Sequence, residues 1–329
     1  MVFATAAESG GALQNIRELY NRAISDKVNK WIFVTSVINL PETENVKSIQ
    51  IPSLKKSWFH RLKFDLIDYK KLVKQYNPDE IHNLQTFIYK DNNIKYIFYA
   101  TNVLFFTPIR FKPSDDFNLF LRQKLLKRPV VFSCKRSDNI ITECEWMALR
   151  IANDLNIDRN KITVMEHNVQ VLWNSDYKTV LKRQFFYPAS GAVYKNHKTL
   201  VEAAKLLKNE GYDFKLVLTL KGNEVRKIRV LKKECEQAGI IVDWVGTQDM
   251  NQMKEYYLSS ILVFPSYLET IGLPLLEARE MGAPIICANL PYATSIIGDY
   301  DKAMFFQYDD PVELAELMKT ALSEIEGNQ

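Results

Sequence analysis

The second half of the chain alternates short apolar runs, rich in β-branched and aromatic residues, with segments of amphipathic helical periodicity. Such runs are typical of strands buried on both faces, and buried strands separated by helices form parallel sheets. The predicted strands are Phe185–Tyr187, Phe214–Leu220, Ile240–Val245, Ile261–Pro265, Pro284–Ala288 and Ala303–Phe306. The predicted helices are His197–Lys208, Glu224–Gln237, Asn251–Leu258, Gly272–Met281 and Pro311–Ile325, the last opening with an aspartate N-cap and a proline. The pattern indicates an α/β domain.

The first half shows the same alternation less regularly. Its predicted strands are Met1–Thr5, Trp31–Thr35, Ser48–Ile51, Glu80–Asn83, Tyr96–Tyr99 and Ile140–Thr142, and its predicted helices are Leu13–Ile24, Arg61–Gln75, Asp115–Leu126 and Cys144–Leu155. Val130–Cys134 fits either structure. The polar stretch Glu166–Arg183 lacks periodicity and is the best linker candidate, which predicts two α/β domains at residues 1–168 and 169–329. We expect a ligand cleft between the carboxyl ends of their strands, and a final helix that can pack back on the first domain.

A length of 329 residues suits two domains, and 47% hydrophobic with 25% charged residues is a globular composition. The longest apolar runs fall short of the roughly 20 residues that a membrane-spanning helix needs, and the first residues lack the basic region of a signal peptide. We therefore expect a cytoplasmic protein. The four cysteines are scattered without a CxxC pair, so neither a disulfide framework nor a structural zinc site is predicted.

Positive charge is concentrated in the first half. Residues 1–168 hold 25 lysines and arginines against 18 acidic residues, a balance of +7, whereas residues 169–329 hold 18 against 21, a balance of −3. Residues 51–76 carry seven basic and two acidic side chains interleaved with aromatic ones. Such a segment suits an anionic membrane or nucleic acid. The predicted membrane-facing residues are Trp58, Phe59, Lys70, Lys71 and Lys74.

Residues 264–278 combine a strand end, a loop and a helix start. The strand ends at Pro265, the loop carries Glu269, and Gly272 opens a helix that contains Glu277. Free amides at a helix start, with a glycine permitting close approach, suit a phosphate group. Glu277 can accept hydrogen bonds from vicinal hydroxyls such as those of a ribose. A plain helix N-terminus with nearby acidic residues is the competing interpretation.

The two glutamates, flanking Thr-Ile-Gly-Leu-Pro, resemble the glutamate pair of the GT-B glycosyltransferases, in particular retaining family 4. Further segments resemble motifs of this family in the same order: the glycine loop at Gly10–Leu13, the Pro-Asp-apolar-apolar-His strand at Pro78–His82, the Lys-Asn segment at Lys195–His197 and the Gly-x-Pro step at Gly282–Ile285. The resemblance spans nearly the whole chain and is most specific over residues 264–286. It implies the GT-B fold, in which two Rossmann-like α/β/α domains face each other across a cleft.

The resemblance also implies a nucleotide-diphosphate sugar, UDP- or GDP-linked, on the C-terminal domain and an acceptor mainly on the N-terminal one. By position, Glu277 matches the residue that holds the ribose hydroxyls, Lys195 matches the diphosphate lysine, and Glu269 matches the glutamate near the donor sugar. Lys195 and Glu269 are the predicted catalytic residues. The other donor-binding positions are the amides of Thr270, Ile271 and Gly272, together with Gly10 and Gly11, whose competing role is a tight turn before a helix.

Two positions depart from the family pattern. Ala189 stands where an arginine commonly assists the diphosphate lysine, and Lys221 in the next turn is the predicted substitute. Thr101 and Asn102 stand where many relatives have a histidine near the donor sugar, and neither accepts a proton at neutral pH. The resemblance then implies transfer with retention, in which the departing phosphate accepts the acceptor's proton. No carboxylate cluster indicates a metal site, so we expect neither a metal nor a cofactor.

Together these features predict a hexosyl-type glycosyltransferase of surface polysaccharide biosynthesis. The expected acceptor is a glycan or a polyprenyl-diphosphate-linked saccharide, with peripheral attachment to the inner face of the cell membrane. Nucleic acid is less favoured, because the motif-bearing half is acidic and contains no nucleic-acid module. A catalytically silent GT-B subunit that binds a glycan or a partner is the alternative. A dinucleotide oxidoreductase is disfavoured, because the two glycines near the start lack GxGxxG spacing.

Overall fold

The computed structural model describes residues 1–5, 10–85, 93–165 and 179–327. The chain divides into two units, Met1–His167 and Asn168–Gln329. The predicted domain boundary, between residues 168 and 169, lies outside the described residues. Each unit is built on a parallel sheet.

The first unit contains strands β1 (Val2–Ala4), β2 (Trp31–Thr35), β3 (Val46–Gln50), β4 (Glu80–Asn83), β5 (Lys95–Tyr99), β6 (Asn139–Thr142) and β7 (Ile162–Val164). These strands are parallel and lie in the order β3-β2-β1-β4-β5-β6-β7. The helices are α1 (Gly10–Ser25), α2 (Trp58–Lys63), α3 (Tyr69–Tyr76), α4 (Phe117–Arg136) and α5 (Glu145–Leu155). A π-helical turn, Phe64–Asp68, joins α2 to α3.

The second unit contains strands β8 (Gln184–Tyr187), β9 (Lys215–Leu218), β10 (Ile241–Trp244), β11 (Ile261–Phe264), β12 (Ile285–Ala288) and β13 (Ala303–Phe306). They form a parallel sheet in the order β10-β9-β8-β11-β12-β13. The helices are α6 (His197–Asn209), α7 (Arg226–Gln237), α8 (Met250–Ser259), α9 (Leu273–Glu280), α10 (Pro291–Ile297) and α11 (Pro311–Gly327). Helix α11 packs against α6 of the same unit.

The middle strands of both sheets form the core. Every residue of β1, β8 and β11 is buried, which explains why these strands are apolar on both faces, apart from Gln184 at the start of β8, instead of alternating. Phe264, for example, is 0% exposed, and burial of a side chain of this size contributes roughly 1.5–3 kcal/mol. The hydrophobic effect on both faces therefore holds the strand ends, and the loops that follow them, in fixed positions.

The structure confirms the predicted strands and helices to within a few residues, apart from a longer α4 and some local differences. Val130–Cys134, which fitted either structure, lies inside α4, whose length the internal Pro129 obscured. Strand β7 and helix α10 were not predicted, because three and seven residues are too short to show periodicity. The predicted helix at Arg61–Gln75 is interrupted by the π-helical turn.

In both sheets, successive strands are first added on one side of the initial strand and later on its other side, so the strand order reverses at one position. In the first sheet β1 lies between β2 and β4, and in the second β8 lies between β9 and β11. Loops that follow the two central strands diverge at such a position and leave a crevice at the carboxyl edge, where ligands of open α/β sheets bind. We call the carboxyl ends of β1 and β4 the first switch point and those of β8 and β11 the second switch point.

Candidate active site

The second switch point brings Lys195 and Glu269 together. Lys195 ends a 3-10 turn that follows β8, and Glu269 lies in the loop that follows β11. The Lys195 ammonium forms an ion pair with Oε1 of Glu269, and the two side chains are only 17% and 13% exposed. Residues 74 positions apart in the chain are therefore in direct contact at the sheet edge.

Hydrogen bonds tie the two loops to each other. The Tyr194 carbonyl accepts from the Ser266 hydroxyl at 3.1 Å and from the Tyr267 amide at 2.9 Å. Asn196 Nδ2 donates to the Pro265 carbonyl at 3.1 Å. Because these bonds restrict the relative movement of the loops, the fold itself holds the ion pair in position.

Buried aromatic residues lie beneath the lysine. Tyr187, which is 0% exposed, donates from its hydroxyl to the Lys195 carbonyl at 2.6 Å. The ammonium lies 6.0 Å from the ring centroid of Phe264 and 5.6 Å from that of Tyr194, distances at which a cation is attracted to an aromatic face. These contacts keep the charged group at the carboxyl edge of the sheet.

Gly272 forms the turn into α9. Its φ of +77° lies in the left-handed region that glycine adopts without strain, and an added Cβ would stand 3.2 Å from Cδ2 of Tyr292. The Gly272 carbonyl accepts from the Leu275 amide at 2.9 Å, which begins the helix. Thr270 and Ile271, just before it, are half-buried. Contact between these amides and a diphosphate stays a prediction.

Glu277 lies within α9 and has a buried partner. The hydroxyl of Tyr257 on α8 donates to Glu277 Oε2 at 2.5 Å, and Tyr257 is 1% exposed. Burial raises the pKa of the Glu277 carboxyl above its usual value, and the hydrogen bond from Tyr257 opposes that rise. Tyr257 was not predicted, because nothing in its own segment marks it. Its place in the site becomes visible only in the structure, through the contact with α9, which begins sixteen residues later in the chain.

Lys221, the predicted substitute for the arginine missing at Ala189, lies exposed at the end of the strand next to β8. The amides of Lys221, Gly222 and Asn223 donate to the Glu224 carboxylate at 2.5, 3.1 and 3.1 Å. Desolvation acts to raise the pKa of Glu224, but these amide bonds lower it below its usual value. The backbone of this turn therefore already holds an anion, which is the protein's own carboxylate.

The predicted residues of the first unit have local roles. Gly10 and Gly11 are the first residues of α1 and not a loop before it, which corrects the predicted helix start. Asn102 follows β5 and caps a 3-10 turn, its side chain accepting from the Leu104 amide at 3.1 Å. Thr101 beside it is half-buried. Contact of any of these residues with a ligand stays a prediction.

Helices α2 and α3, with the π-helical turn between them, present an exposed face. Phe59 is 73% exposed, Leu62 57%, Leu66 51% and Ile67 46%. Lys70, Lys71 and Lys74 are exposed on the continuation of this face, and the Trp58 side chain lies outside the described residues. The three aliphatic residues were not predicted, although their helical spacing from Phe59 is a signal that could have found them. We call Phe59, Leu62, Leu66, Ile67, Lys70, Lys71 and Lys74 the α2–α3 face.

The described histidines include two that are buried and have a lowered pKa. His82 bonds Tyr99 at 3.0 Å and Glu80 at 2.8 Å, and burial lowers its pKa. Burial lowers the pKa of His197 to about 3. Within the described ranges, no three His, Cys, Asp or Glu side chains are grouped to hold a metal ion. No helix of the described part of the chain is long and apolar enough to cross a membrane.

A cavity of about 580 Å³ lies at the opposite edge of the second sheet. Its lining includes Gly282, Pro284 and Lys302, which precede strands β12 and β13 and therefore mark the amino edge. None of the predicted site residues lines it, so the cavity is separate from the second switch point.

Solved glycosyltransferases resemble the chain over nearly its whole length. WaaG, a glycosyltransferase involved in lipopolysaccharide biosynthesis, is 12% identical with a TM-score of 0.65, over 98% of this chain and 90% of that one. Anabaena Alr3699/HepE, solved in complex with UDP and glucose, is 12% identical with a TM-score of 0.66, over 99% and 90%. At this identity the likeness shows the fold, so the predicted class, GT-B with Rossmann-like α/β domains, is confirmed.

Sequence comparison assigns the second unit more narrowly. Residues 174–328 match the model of the family described as Glycosyl transferases group 1, so this unit carries a glycosyltransferase group 1 domain. The Escherichia coli O-antigen chain mannosyltransferase B is 30% identical over 32% of this chain and 28% of its own length. The Salmonella typhimurium O-antigen chain mannosyltransferase RfbU is 22% identical over 58% and 53%. The chain thus spans about half, or less, of the length of the curated relatives it matches.

Proposed function

We propose that this protein transfers a sugar from a UDP- or GDP-linked donor to a glycan or lipid-linked saccharide, in the synthesis of a surface polysaccharide. The observation that carries the proposal is the Lys195–Glu269 pair at the second switch point, beside the Gly272 turn into the helix of Glu277. The names of the O-antigen mannosyltransferases, and the UDP and glucose in the HepE structure, support a nucleotide sugar and a polysaccharide product. No observation favours the catalytically silent subunit.

Charge explains why a lysine is needed at this position. The start of a helix supplies only about half an elementary charge, whereas the departing nucleoside diphosphate gains negative charge as the glycosidic bond breaks. Lys195 has three N–H donors, and among the described residues its ammonium forms a hydrogen bond only to Glu269. A diphosphate can therefore share the ammonium and leave Glu269 available for the hydroxyls of the donor sugar.

The reaction itself then needs position and charge rather than a protein nucleophile. With retention, the acceptor hydroxyl attacks the face that the diphosphate leaves, and the departing phosphate oxygen takes the hydroxyl proton. Lys195 and the amides of residues 270–272 stabilise the charge of that leaving group. Glu277 holds the ribose, which fixes the donor's orientation. Hexosyl transfer and independence from metals and cofactors belong to the same proposal.

Nucleotide binding tests the donor site. We expect Glu277→Ala to weaken the binding of UDP or GDP, measured by titration calorimetry, by at least about tenfold, or about 1.4 kcal/mol. The matched control is Glu280→Ala, which removes an exposed carboxylate from the same helix. Equal affinities in both variants and the parent would falsify the site.

We further propose that the α2–α3 face attaches the protein reversibly to the anionic inner face of the cell membrane. Its apolar part can enter the headgroup region, and each lysine near an anionic surface contributes about 1 kcal/mol. A polyprenyl-diphosphate-linked acceptor would be met at that surface.

Sedimentation with vesicles tests the attachment. Binding to vesicles rich in phosphatidylglycerol should exceed binding to neutral vesicles, and reversal of Lys70, Lys71 and Lys74 to glutamate should lower it by at least about tenfold. Reversal of Lys135, Lys161 and Lys233, which are exposed elsewhere, is the charge-matched control. If both triple variants lose binding equally, general charge and not this face is responsible.

A further inference from the structure

The first switch point holds a network of polar side chains. Thr5 follows β1 and Gln85 lies two residues beyond β4; the Thr5 hydroxyl donates to Gln85 Oε1 at 2.5 Å. Arg61 of α2 reaches both, because Nη1 donates to Thr5 at 2.5 Å and Nη2 donates to Gln85 Oε1 at 3.2 Å. The remaining guanidinium nitrogen, Nε, donates to Asp65 Oδ2 at 3.1 Å.

Among the described residues, two buried atoms of this network have no hydrogen-bond partner: Gln85 Nε2 and Asp65 Oδ1. Gln85 is only 3% exposed. A buried donor or acceptor without a partner costs free energy, so the network is incomplete as the protein stands. The Arg61 and Asp65 side chains are 19% and 17% exposed, so the network lies partly at the surface although the two unpartnered atoms are buried.

The orientation of the Gln85 amide follows from its neighbours. Arg61 can only donate hydrogen bonds, so the Gln85 atom that faces it is the oxygen and the amide nitrogen points away. Thr5 and Arg61 therefore act as positioning residues, and they leave the side-chain amide nitrogen of Gln85 without a partner in the described part of the chain. Asp65 is held in the same way, since one carboxylate oxygen is bound by Arg61 and the other is left over.

An unpartnered amide donor and an unpartnered carboxylate acceptor in one network suit hydroxyl groups, because a hydroxyl both donates and accepts. A diphosphate only accepts, and it would meet the like charge of Asp65 while the Arg61 charge is already paired. We propose that the first switch point is a subsite for the hydroxyls of the acceptor sugar, with Gln85 donating and Asp65 accepting. This inference rests on the proposed function, which requires an acceptor.

Two isosteric substitutions test the subsite. Gln85→Glu keeps the oxygen that Thr5 and Arg61 use, turns the unpartnered donor into an acceptor and adds a negative charge. Asp65→Asn keeps an oxygen for Arg61, turns the unpartnered acceptor into a donor and removes a negative charge. Each variant should weaken the binding of a methyl glycoside by at least about tenfold, with UDP or GDP affinity unchanged and a cooperative thermal unfolding transition retained.

The probes are the methyl glycosides of mannose, glucose and galactose, titrated up to about 100 mM by saturation-transfer NMR and soaked into crystals. We expect sugar hydroxyls about 3 Å from Gln85 Nε2 and about 3 Å from Asp65 Oδ1. Water alone at these atoms, equal glycoside binding by both variants and the parent, or occupation by inorganic pyrophosphate in place of a sugar would each overturn the inference.

Hydrolysis of the donor by the same preparations separates this inference from the proposed function. Hydrolysis of UDP- or GDP-sugars without a glycoside at Gln85 overturns the subsite alone. Absence of both nucleotide binding and hydrolysis overturns the proposed function, whereas a glycoside bound at Gln85 still supports the subsite.

Discussion

The two switch points have the same strand order and an ion pair each, yet they differ in how the cation is used. At the second, the Lys195 ammonium has Glu269 as its hydrogen-bond partner within the described part of the chain. At the first, Arg61 donates to three side chains from its three nitrogens. The lysine keeps donors for a ligand, while the arginine uses its donors to orient neutral and acidic neighbours.

This difference suits our proposal that one fold supports two kinds of recognition. The strand order places both candidate sites at the carboxyl edge of a sheet, and we propose that the cation determines which ligand each one suits. An ammonium with spare donors beside a helix start suits a diphosphate. A guanidinium held between a hydroxyl, an amide and a carboxylate leaves one buried amide donor and one buried carboxylate acceptor without partners among the described residues, and we propose that this pair suits sugar hydroxyls.

Removal of the lysine should have the largest effect. We expect Lys195→Ala to lower sugar transfer by about a hundredfold, or about 2.7 kcal/mol, because the leaving diphosphate loses its cation. Initial rates with saturating donor would measure the loss. Lys198→Ala, which removes an exposed lysine from the following helix, should leave the rate within about twofold.

Donor hydrolysis in the absence of acceptor sharpens this test. It should fall in Lys195→Ala and stay at the parent rate in Gln85→Glu, because only the first variant touches the leaving group. If Gln85→Glu slows hydrolysis as strongly as Lys195→Ala, the proposal that the second switch point binds the donor and the first binds the acceptor is wrong.

The next effect concerns the backbone at the second switch point. Gly272→Ala should lower the free energy of unfolding by about 2–3 kcal/mol, since alanine is strained at positive φ and its Cβ meets Tyr292. Gly211→Ala is the matched control, because Gly211 also has positive φ but nothing lies within 4 Å of an added Cβ. That variant should lose only about 1 kcal/mol in urea unfolding. Equal losses would mean that contact with Tyr292 is unimportant.

Much of the fold was predictable because its cause is local. Strands buried on both faces are continuously apolar, and this pattern alone is enough to locate β8 and β11 in the sequence. The prediction failed where an element is too short to show periodicity, or where its residues do not favour the structure that they adopt. Helix α10 has seven residues, and the two glycines near the start entered α1 although glycine is a poor helix former.

In the candidate site, too, some features were predictable from the sequence and others were not. The loop of Glu269 was indicated by its own segment, and Lys195 was assigned through resemblance to a family, but contact between these two residues, 74 positions apart, was not predicted. The Thr5–Gln85 contact spans 80 positions and belongs to no motif that we recognised. A hydrogen bond between distant residues depends on the strand order, and strand order is not written in local periodicity. Resemblance to a family therefore indicated the second switch point, whereas the network at the first switch point was missed.

The smallest effect concerns Tyr257, whose hydroxyl donates to Glu277. Burial raises the pKa of Glu277 and this bond lowers it, so Tyr257→Phe should raise the pKa further. If the ionised carboxylate holds the ribose, nucleotide affinity falls as pH falls through this pKa, and the variant should begin to lose affinity at a higher pH than the parent. Calorimetric titrations across a pH series would measure the displacement.

The free energy of unfolding should depend on pH in the opposite sense to nucleotide affinity. A carboxyl whose pKa is higher in the folded state binds more protons when folded, so stability decreases as pH rises from the ordinary glutamate range through the raised pKa. In Tyr257→Phe this decrease should extend to higher pH, while Gln85→Glu should leave the pH dependence of nucleotide binding unchanged. If Gln85→Glu displaces the pH dependence of nucleotide affinity, the two switch points are electrostatically coupled. The difference between them could then not be explained by each site's own contacts alone.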